Sequence, residues 1–112
     1  MCNSEIIKLI GTWITDLQDI KSLEEFGRVT LKFKKDGRLD YIIHLEDKYQ
    51  KILLVYKVEN GVIITDQPSK PHEERTPYTI TPEGKLLMFY NNKKVTYVRL
   101  NVEQCMQPGE NA

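Results

Sequence analysis

The chain has 112 residues, which suits a single domain that buries roughly two-thirds of the surface of its unfolded chain. Its 40% hydrophobic and 29% charged residues are ordinary for a globular protein, and no apolar run approaches the ~20 residues that cross a bilayer as a helix. Sixteen basic residues balance sixteen acidic ones, so no net charge draws the chain to nucleic acid or to an anionic membrane.

The N-terminal segment predicts a short helix within residues 1–10. Ser4 is a good N-cap, an apolar run follows it, and Gly11 would end the helix. The N-terminus lacks the basic segment and apolar core of a secretory signal, which favours a cytoplasmic location. Met1-Cys2 leaves open the alternative of a lipoprotein whose signal has been removed.

From Gly11 onward the chain reads as β-strands separated by turn signals, and no second segment shows a helical pattern. We expect one domain over residues 1–112, with a flexible tail at 107–112. The sequence predicts eight strands, at residues 11–17, 28–34, 38–45, 51–59, 62–66, 76–81, 85–90 and 94–101.

The connections between these strands alternate in kind. Tight hairpin signals occur at Asp36-Gly37, Asn60-Gly61 and Pro82-Glu83-Gly84, whereas 18–27, 46–50 and 67–75 are longer. Alternate connections of an up-and-down meander lie at opposite ends. We therefore predict an all-β fold, an eight-stranded up-and-down antiparallel β-barrel, with tight turns at one end and long loops at the other. A two-sheet sandwich is the competing architecture, but it needs crossovers that such short links hardly allow.

Hairpin geometry predicts which side chains face inward. A three-residue loop ending in a left-handed Gly37 sets Phe33 opposite Leu39, whereas a two-residue turn would set Phe33 opposite Asp40. We prefer the first register because it gathers the apolar residues on one face. The inward set is then Trp13, Leu17, Val29, Leu31, Phe33, Leu39, Tyr41, Ile43, Leu54, Tyr56, Val58, Ile63, Tyr78, Ile80, Leu86, Met88, Tyr90, Val95, Tyr97 and Arg99.

Three segments of the chain carry a family resemblance. Gly11-Thr12-Trp13 on the first strand, the first hairpin at 33–39, and Thr96-Tyr97-Val98-Arg99 on the last strand are similar to small bacterial lipocalin-like domains of the calycin superfamily. The resemblance implies that Arg99 packs over Trp13 and closes one end of the barrel. The strand count also places both residues at the tight-turn end. The chain is shorter than a typical lipocalin, which bears on how much cavity remains.

All tyrosines except Tyr49 belong to the inward set, and buried phenols need hydrogen-bond partners. They find them in one another, in water or in a ligand, so the pattern alone leaves a filled and a hollow interior both open. The resemblance favours a hollow one. We expect non-catalytic binding of a small hydrophobic or amphipathic molecule, entering at the long-loop end. The candidate ligand-binding residues are Phe33, Tyr41, Ile43, Tyr56, Tyr78, Met88, Tyr90 and Tyr97.

Two other functions stay open at this stage. A barrel of this kind can act as an isomerase or cyclase, with Tyr41, Tyr97 or, in the alternative register, His44 and Asp40 as acid or base. It can also act as a protein-interaction or inhibitor module with a filled core. No pattern indicates a cofactor or a metal site, and His72 with its carboxylate neighbours resembles a solvated loop.

Several apolar residues point away from the predicted core, among them Leu53, Val55 and Phe89. An exposed apolar patch usually marks an interface, so we expect a homodimer through the outer sheet face. Cys2 and Cys105 lack metal-ligand spacing. A barrel brings its ends together, which leaves open whether they pair, although a cytosolic chain usually keeps its thiols reduced.

Overall fold

Eight antiparallel strands close into one barrel in the computed structural model, which describes residues 8–90 and 92–100. Each strand pairs with its neighbours in the chain, and the first pairs with the last, so the predicted up-and-down barrel is confirmed. The strands are β1 (Gly11–Thr15), β2 (Arg28–Phe33), β3 (Arg38–His44), β4 (Tyr49–Glu59), β5 (Val62–Asp66), β6 (Glu74–Ile80), β7 (Leu86–Tyr90) and β8 (Lys93–Arg99).

The predicted register of the first hairpin is also confirmed, since Phe33 lies opposite Leu39. The other two tight hairpins set Val58 opposite Ile63 and Tyr78 opposite Met88, which brings residues of the predicted inward set together. At the first hairpin Gly37 has a φ of 88°, a left-handed conformation that a side chain resists, and this extra residue selects the three-residue loop. The alternative register, which would turn His44 and Asp40 inward, is therefore excluded.

The core contains every predicted inward residue except Leu17 and the exposed Arg99, and Leu9 and Phe26 join it. Trp13, Phe33, Leu86, Val95 and Tyr97 are all 2% exposed or less, and the other predicted apolar residues except Leu17 are buried or packed against them. Leu17 is 54% exposed, so its predicted inward position is wrong. The chain leaves the sheet after Thr15, because Asp16 accepts the Gln18 N–H at 3.0 Å and begins a turn.

A second correction concerns the connection between β1 and β2, which holds a helix, α1 (Ile20–Phe26), that the sequence analysis missed. The Asp19 carboxylate caps its first turn by accepting the Ser22 N–H at 3.2 Å. Ser22 is 1% exposed, and its Oγ accepts the Thr96 N–H of β8 at 3.1 Å. The helix is only seven residues long and forms because its side chains find partners on the barrel.

The connection between β3 and β4 is shorter than predicted. β4 begins at Tyr49, so the predicted long loop at 46–50 is a turn closed by a 2.8 Å bond from Leu45 N–H to Lys48 O. The long connections at this end are thus the one holding α1 and the 67–73 loop.

Some predictions fall outside the described residues or on their edge. Of the predicted N-terminal helix at 1–10 the structure describes residues 8–10, of which Lys8 and Leu9 are helical and Ile10 is not. Cys2, Cys105, Asn91 and the tail at 107–112 lie outside the described residues. Across residues 8–90 and 92–100, no helix is long and apolar enough to span a membrane.

The ion pair between Asp16 and Lys85 ties the start of the α1 connection to β7. The Asp16 carboxylate is nearly buried, with Oδ2 lying 2.9 Å from Lys85 Nζ, and this hydrogen bond lowers the pKa of Asp16 below its ordinary value of 3.8. A carboxyl whose pKa falls on folding stabilises the native state above its unfolded pKa and loses that contribution as the pH drops through the folded pKa.

We expect Asp16→Asn to lower the free energy of unfolding at neutral pH, with the difference from wild type shrinking as the pH falls below 3.8. Urea titrations at several pH values measure this. Asp47→Asn, the same change at an exposed turn position, is the control and should show no such trend. A difference for Asp16→Asn that stays constant down to pH values well below 3.8 would contradict the prediction.

Candidate functional site

One end of the barrel is closed by Trp13 and Arg99, which are direct partners in the β1–β8 ladder. The Arg99 guanidinium carbon lies 4.3 Å from the centre of the Trp13 ring, a cation–π contact worth roughly 0.5–2 kcal/mol. Trp13 Nε1 donates to Leu9 O at 2.9 Å, and Arg99 donates to Lys8 O and to Ile10 O. The placement that the resemblance implied for Arg99 is therefore present in the structure.

Gly11 allows this closure to form. Its φ is 132°, which disfavours any residue with a side chain, and a Cβ placed on it would lie 2.5 Å from Arg99 Nη1. The guanidinium thus occupies the space that a side chain at residue 11 would need. Gly11, Trp13 and Arg99 act together as a structural plug at the tight-turn end.

The opposite end of the barrel opens into a cavity of about 310 Å³. Its walls come from strands β2 to β7 and from the 67–73 loop, whereas α1 packs beside β8 and places Phe26 5.6 Å from the Tyr90 ring. At this end of the barrel, the cavity therefore lies toward β2 to β7 and away from β8 and β1. It is lined by Leu31, Leu39, Tyr41, Ile52, Leu54, Thr65, Gln67, His72, Glu74, Thr76, Met88 and Tyr90.

Three of the eight candidate ligand-binding residues line this cavity, namely Tyr41, Met88 and Tyr90. Phe33 and Tyr56 instead pack edge to face, with ring centres 5.1 Å apart, and Tyr56 donates to Lys34 O near the tight turn. Tyr97 is fully buried next to Tyr90. Ile43 and Tyr78 pack against the core without lining the cavity. The interior is thus filled at the plug end and hollow at the other.

The phenols of the hollow half lie in an apolar environment. Burial raises the pKa of Tyr41 above 10, and the Glu74 carboxylate adds to this effect. Burial likewise raises the pKa of Tyr90 and Tyr97, whose hydroxyls lie 3.5 Å apart. All three hydroxyls therefore stay protonated at neutral pH and can donate a hydrogen bond.

The Tyr41 hydroxyl differs from the other two. Within residues 8–90 and 92–100 it has no hydrogen-bond partner, whereas Tyr90 donates to Met88 Sδ at 3.4 Å. A partly buried hydroxyl without a protein partner is free to bond to water or to a molecule in the cavity.

Polar side chains surround the mouth of the cavity, and the sequence analysis did not assign them a binding role. Thr65 and Glu74 are partners in the β5–β6 ladder, and Gln67 and His72 belong to the adjoining loop. His72 Nε2 lies 3.1 Å from Glu74 Oε2. In the sequence, these polar groups were visible only as the Glu73-Glu74 pair beside His72. The structure shows that Glu74, the first residue of β6, reaches the cavity.

The acid–base candidates of the alternative register lie on the outer face. His44 Nε2 is 2.8 Å from Thr30 Oγ1, and Asp40 is 4% exposed between the ammonium groups of Lys34 and Lys51. Burial alone would raise the pKa of Asp40, but the two lysines together lower it. Neither residue lines the cavity at the long-loop end. The part of the chain that the structure describes contains no group of three or more metal-ligating side chains.

The outer face exposes apolar side chains on β4 and, at Phe89, on β7. Leu53 is 61% and Val55 41% exposed, but Ile64 is 4% exposed between its ladder partners Lys57 and Arg75. Ile42, Leu87 and Val98 are partly covered. Homodimerisation through this face stays a prediction from the sequence.

Comparisons of the chain with protein-family models, with curated proteins and with solved structures find no match. The lipocalin-like resemblance therefore rests on the three segments that suggested it. The functional argument below rests on the cavity and its lining.

Proposed function

We propose that the protein binds a small, mostly apolar molecule in the cavity at the long-loop end of the barrel, without catalysing a reaction. The observation that carries the proposal is the cavity itself, whose volume of about 310 Å³ lies within the range of ligand pockets. An engineered apolar cavity of about 150 Å³ holds benzene, so this one suits a molecule of about a dozen non-hydrogen atoms.

The lining supports an amphipathic ligand. Five aliphatic or thioether side chains form the apolar walls: Leu31, Leu39, Ile52, Leu54 and Met88. Hydroxyl, amide and carboxylate groups lie toward the mouth, where a polar end of the ligand can remain hydrated. An apolar wall with few polar groups is typical of sites that bind by shape and burial.

A substitution that fills the cavity tests the proposal. Leu54 lines the cavity, and its neighbour Leu53 points outward on the same strand. We expect Leu54→Trp to weaken the binding of octanol at least roughly tenfold, a loss of about 1.4 kcal/mol, because the indole occupies the ligand's space. Leu53→Trp adds the same ring outside the barrel and should bind octanol like the wild type. Binding is measured by calorimetry or by ligand-observed NMR.

Extra volume in a packed interior can cost about 1–3 kcal/mol, so circular dichroism checks that each variant is folded. Ile52→Phe, a smaller increase nearer the mouth, serves as the second blocking variant. The proposal fails if octanol does not bind to the wild type, or if it binds equally well to folded variants with a filled cavity.

A further inference from the structure

The charges around the cavity are one-sided. Among its lining residues, Glu74 is the one carboxylate, and neither lysine nor arginine is present. The neighbouring cation on β6, Arg75, lies 3.2 Å from Glu73 through its Nε. No lysine or arginine within residues 8–90 and 92–100 forms an ion pair with Glu74. The mouth therefore carries a negative charge whose one charge partner among the described residues is His72, which is positive only when it is protonated.

The Glu74 carboxylate is placed to meet the polar end of a ligand. Its side chain is 60% exposed, so it lies at the entrance and not in the apolar depth. One of its oxygens, Oε2, is engaged by His72, and the other accepts no hydrogen bond from the described residues. Its charge raises the pKa of both Tyr41 and Tyr90, in addition to the larger effect of their burial, so its field extends into the cavity.

We propose that the cavity selects small amphipathic amines, with the apolar tail among Leu31, Leu54 and Met88 and the ammonium group at the mouth beside Glu74. This inference rests on the proposed function. The Gln67 amide oxygen adds a second acceptor to the lining, and the rings of Tyr41 and Tyr90 are groups of the kind that attract cations. An ammonium group thus finds a carboxylate at the entrance without leaving water completely.

A ligand with a carboxylate group meets the opposite conditions. At the mouth its charge repels Glu74, and no lysine or arginine in the lining compensates. Deeper in, an unpaired carboxylate would be desolvated without a partner. A fatty acid, otherwise a natural occupant of an apolar barrel, is therefore disfavoured.

Three ligands with one tail test the charge preference: octylamine, octanol and octanoate, titrated at neutral pH and low salt. An ion pair between Glu74 and the ammonium group of octylamine is partly exposed to solvent, so its contribution to the binding free energy is moderate. We expect octylamine to bind about tenfold more tightly than octanoate, with octanol between them, which corresponds to about 1.4 kcal/mol. High salt should reduce the preference.

A pair of matched variants assigns the preference to one carboxylate. Glu74→Gln removes the charge at the mouth and should make octylamine and octanoate bind about equally. Glu73→Gln removes the same charge one residue earlier, where the side chain pairs with Arg75 away from the cavity, and should retain the preference. Octanol binding should remain unchanged in both.

The outcomes separate the two proposals. If octanol binds but octanoate binds as tightly as octylamine, the cavity is a binding site and the amine inference is wrong. A preference that persists in Glu74→Gln, or that Glu73→Gln removes to the same extent, also overturns it. If none of the three ligands binds, the proposed function fails and the inference fails with it.

Discussion

Trp13→Ala is expected to lower the free energy of unfolding by about 3–5 kcal/mol, the usual cost of truncating a large buried aromatic residue. The Trp13 side chain is 1% exposed and packs in the core cluster with Leu9 and Leu31. The substitution also removes the partner of the Arg99 guanidinium and the donor to Leu9 O. Urea denaturation followed by circular dichroism measures the loss, since the variant no longer contains tryptophan.

Ile14→Ala is the matched control, because Ile14 follows Trp13 on β1 but is partly exposed. It should cost clearly less than Trp13→Ala. If the two variants lose the same stability, the plug does not contribute as the structure indicates.

Gly11→Ala is expected to destabilise the protein through two effects. A side chain at a φ of 132° strains the backbone, which costs about 1–3 kcal/mol. The added Cβ would also lie 2.5 Å from Arg99 Nη1, so the guanidinium has to move away from the carbonyls that it binds. The measurement is again the free energy of unfolding in urea.

A double-mutant cycle with Arg99→Met separates the two effects. Methionine keeps a long side chain at residue 99 but lacks the guanidinium that the Cβ would strike. Gly11→Ala should therefore cost less in the Arg99→Met background than in the wild type, with a coupling energy of about 0.5–3 kcal/mol, as for other residues in contact. Equal costs in both backgrounds would leave backbone strain as the whole effect and contradict the steric role of Arg99.

The barrel could be predicted because its determinants are local. Asp36-Gly37 and Asn60-Gly61 fix the hairpin registers, and a strand with a fixed register presents alternate residues to the core. The family resemblance implied that Arg99 packs over Trp13, and the strand count places both residues at the same end of the closed sheet. None of these steps needs knowledge of distant packing.

The helix α1 could not be predicted in the same way. The apolar residues Ile20, Leu23 and Phe26 have a helical spacing, but seven residues are too few for that spacing to stand out from a loop. The helix is held by Ser22 at the Thr96 N–H and by Glu25, whose Oε1 lies 2.8 Å from Lys93 Nζ. Both partners lie on β8, far along the chain. The Asp19 N-cap and Gly27 at the C-terminus were readable signals, but such residues are equally common in loops.

The hollow part of the interior could be predicted only partly in its residues. Inward facing selected Tyr41, Met88 and Tyr90, which line the cavity, but it cannot tell which inward residues fill the barrel and which surround empty space. Phe33 and Tyr97 point inward and simply pack the closed half. Glu74 was missed because the strand was predicted to begin at residue 76. The structure begins β6 at Glu74, which brings that side chain to the mouth of the cavity.

The position of Trp13 also determines what its fluorescence can report. It is the single indole of the chain, it is shielded from solvent, and it lies at the end of the barrel opposite the cavity. Its native emission should thus be that of a shielded chromophore and should change little when the cavity is filled. The same signal shifts to longer wavelength on unfolding, and a bound molecule moves that transition by mass action. Optical melting curves therefore detect occupancy of the cavity through the stability of the whole barrel, whereas calorimetry detects the binding itself.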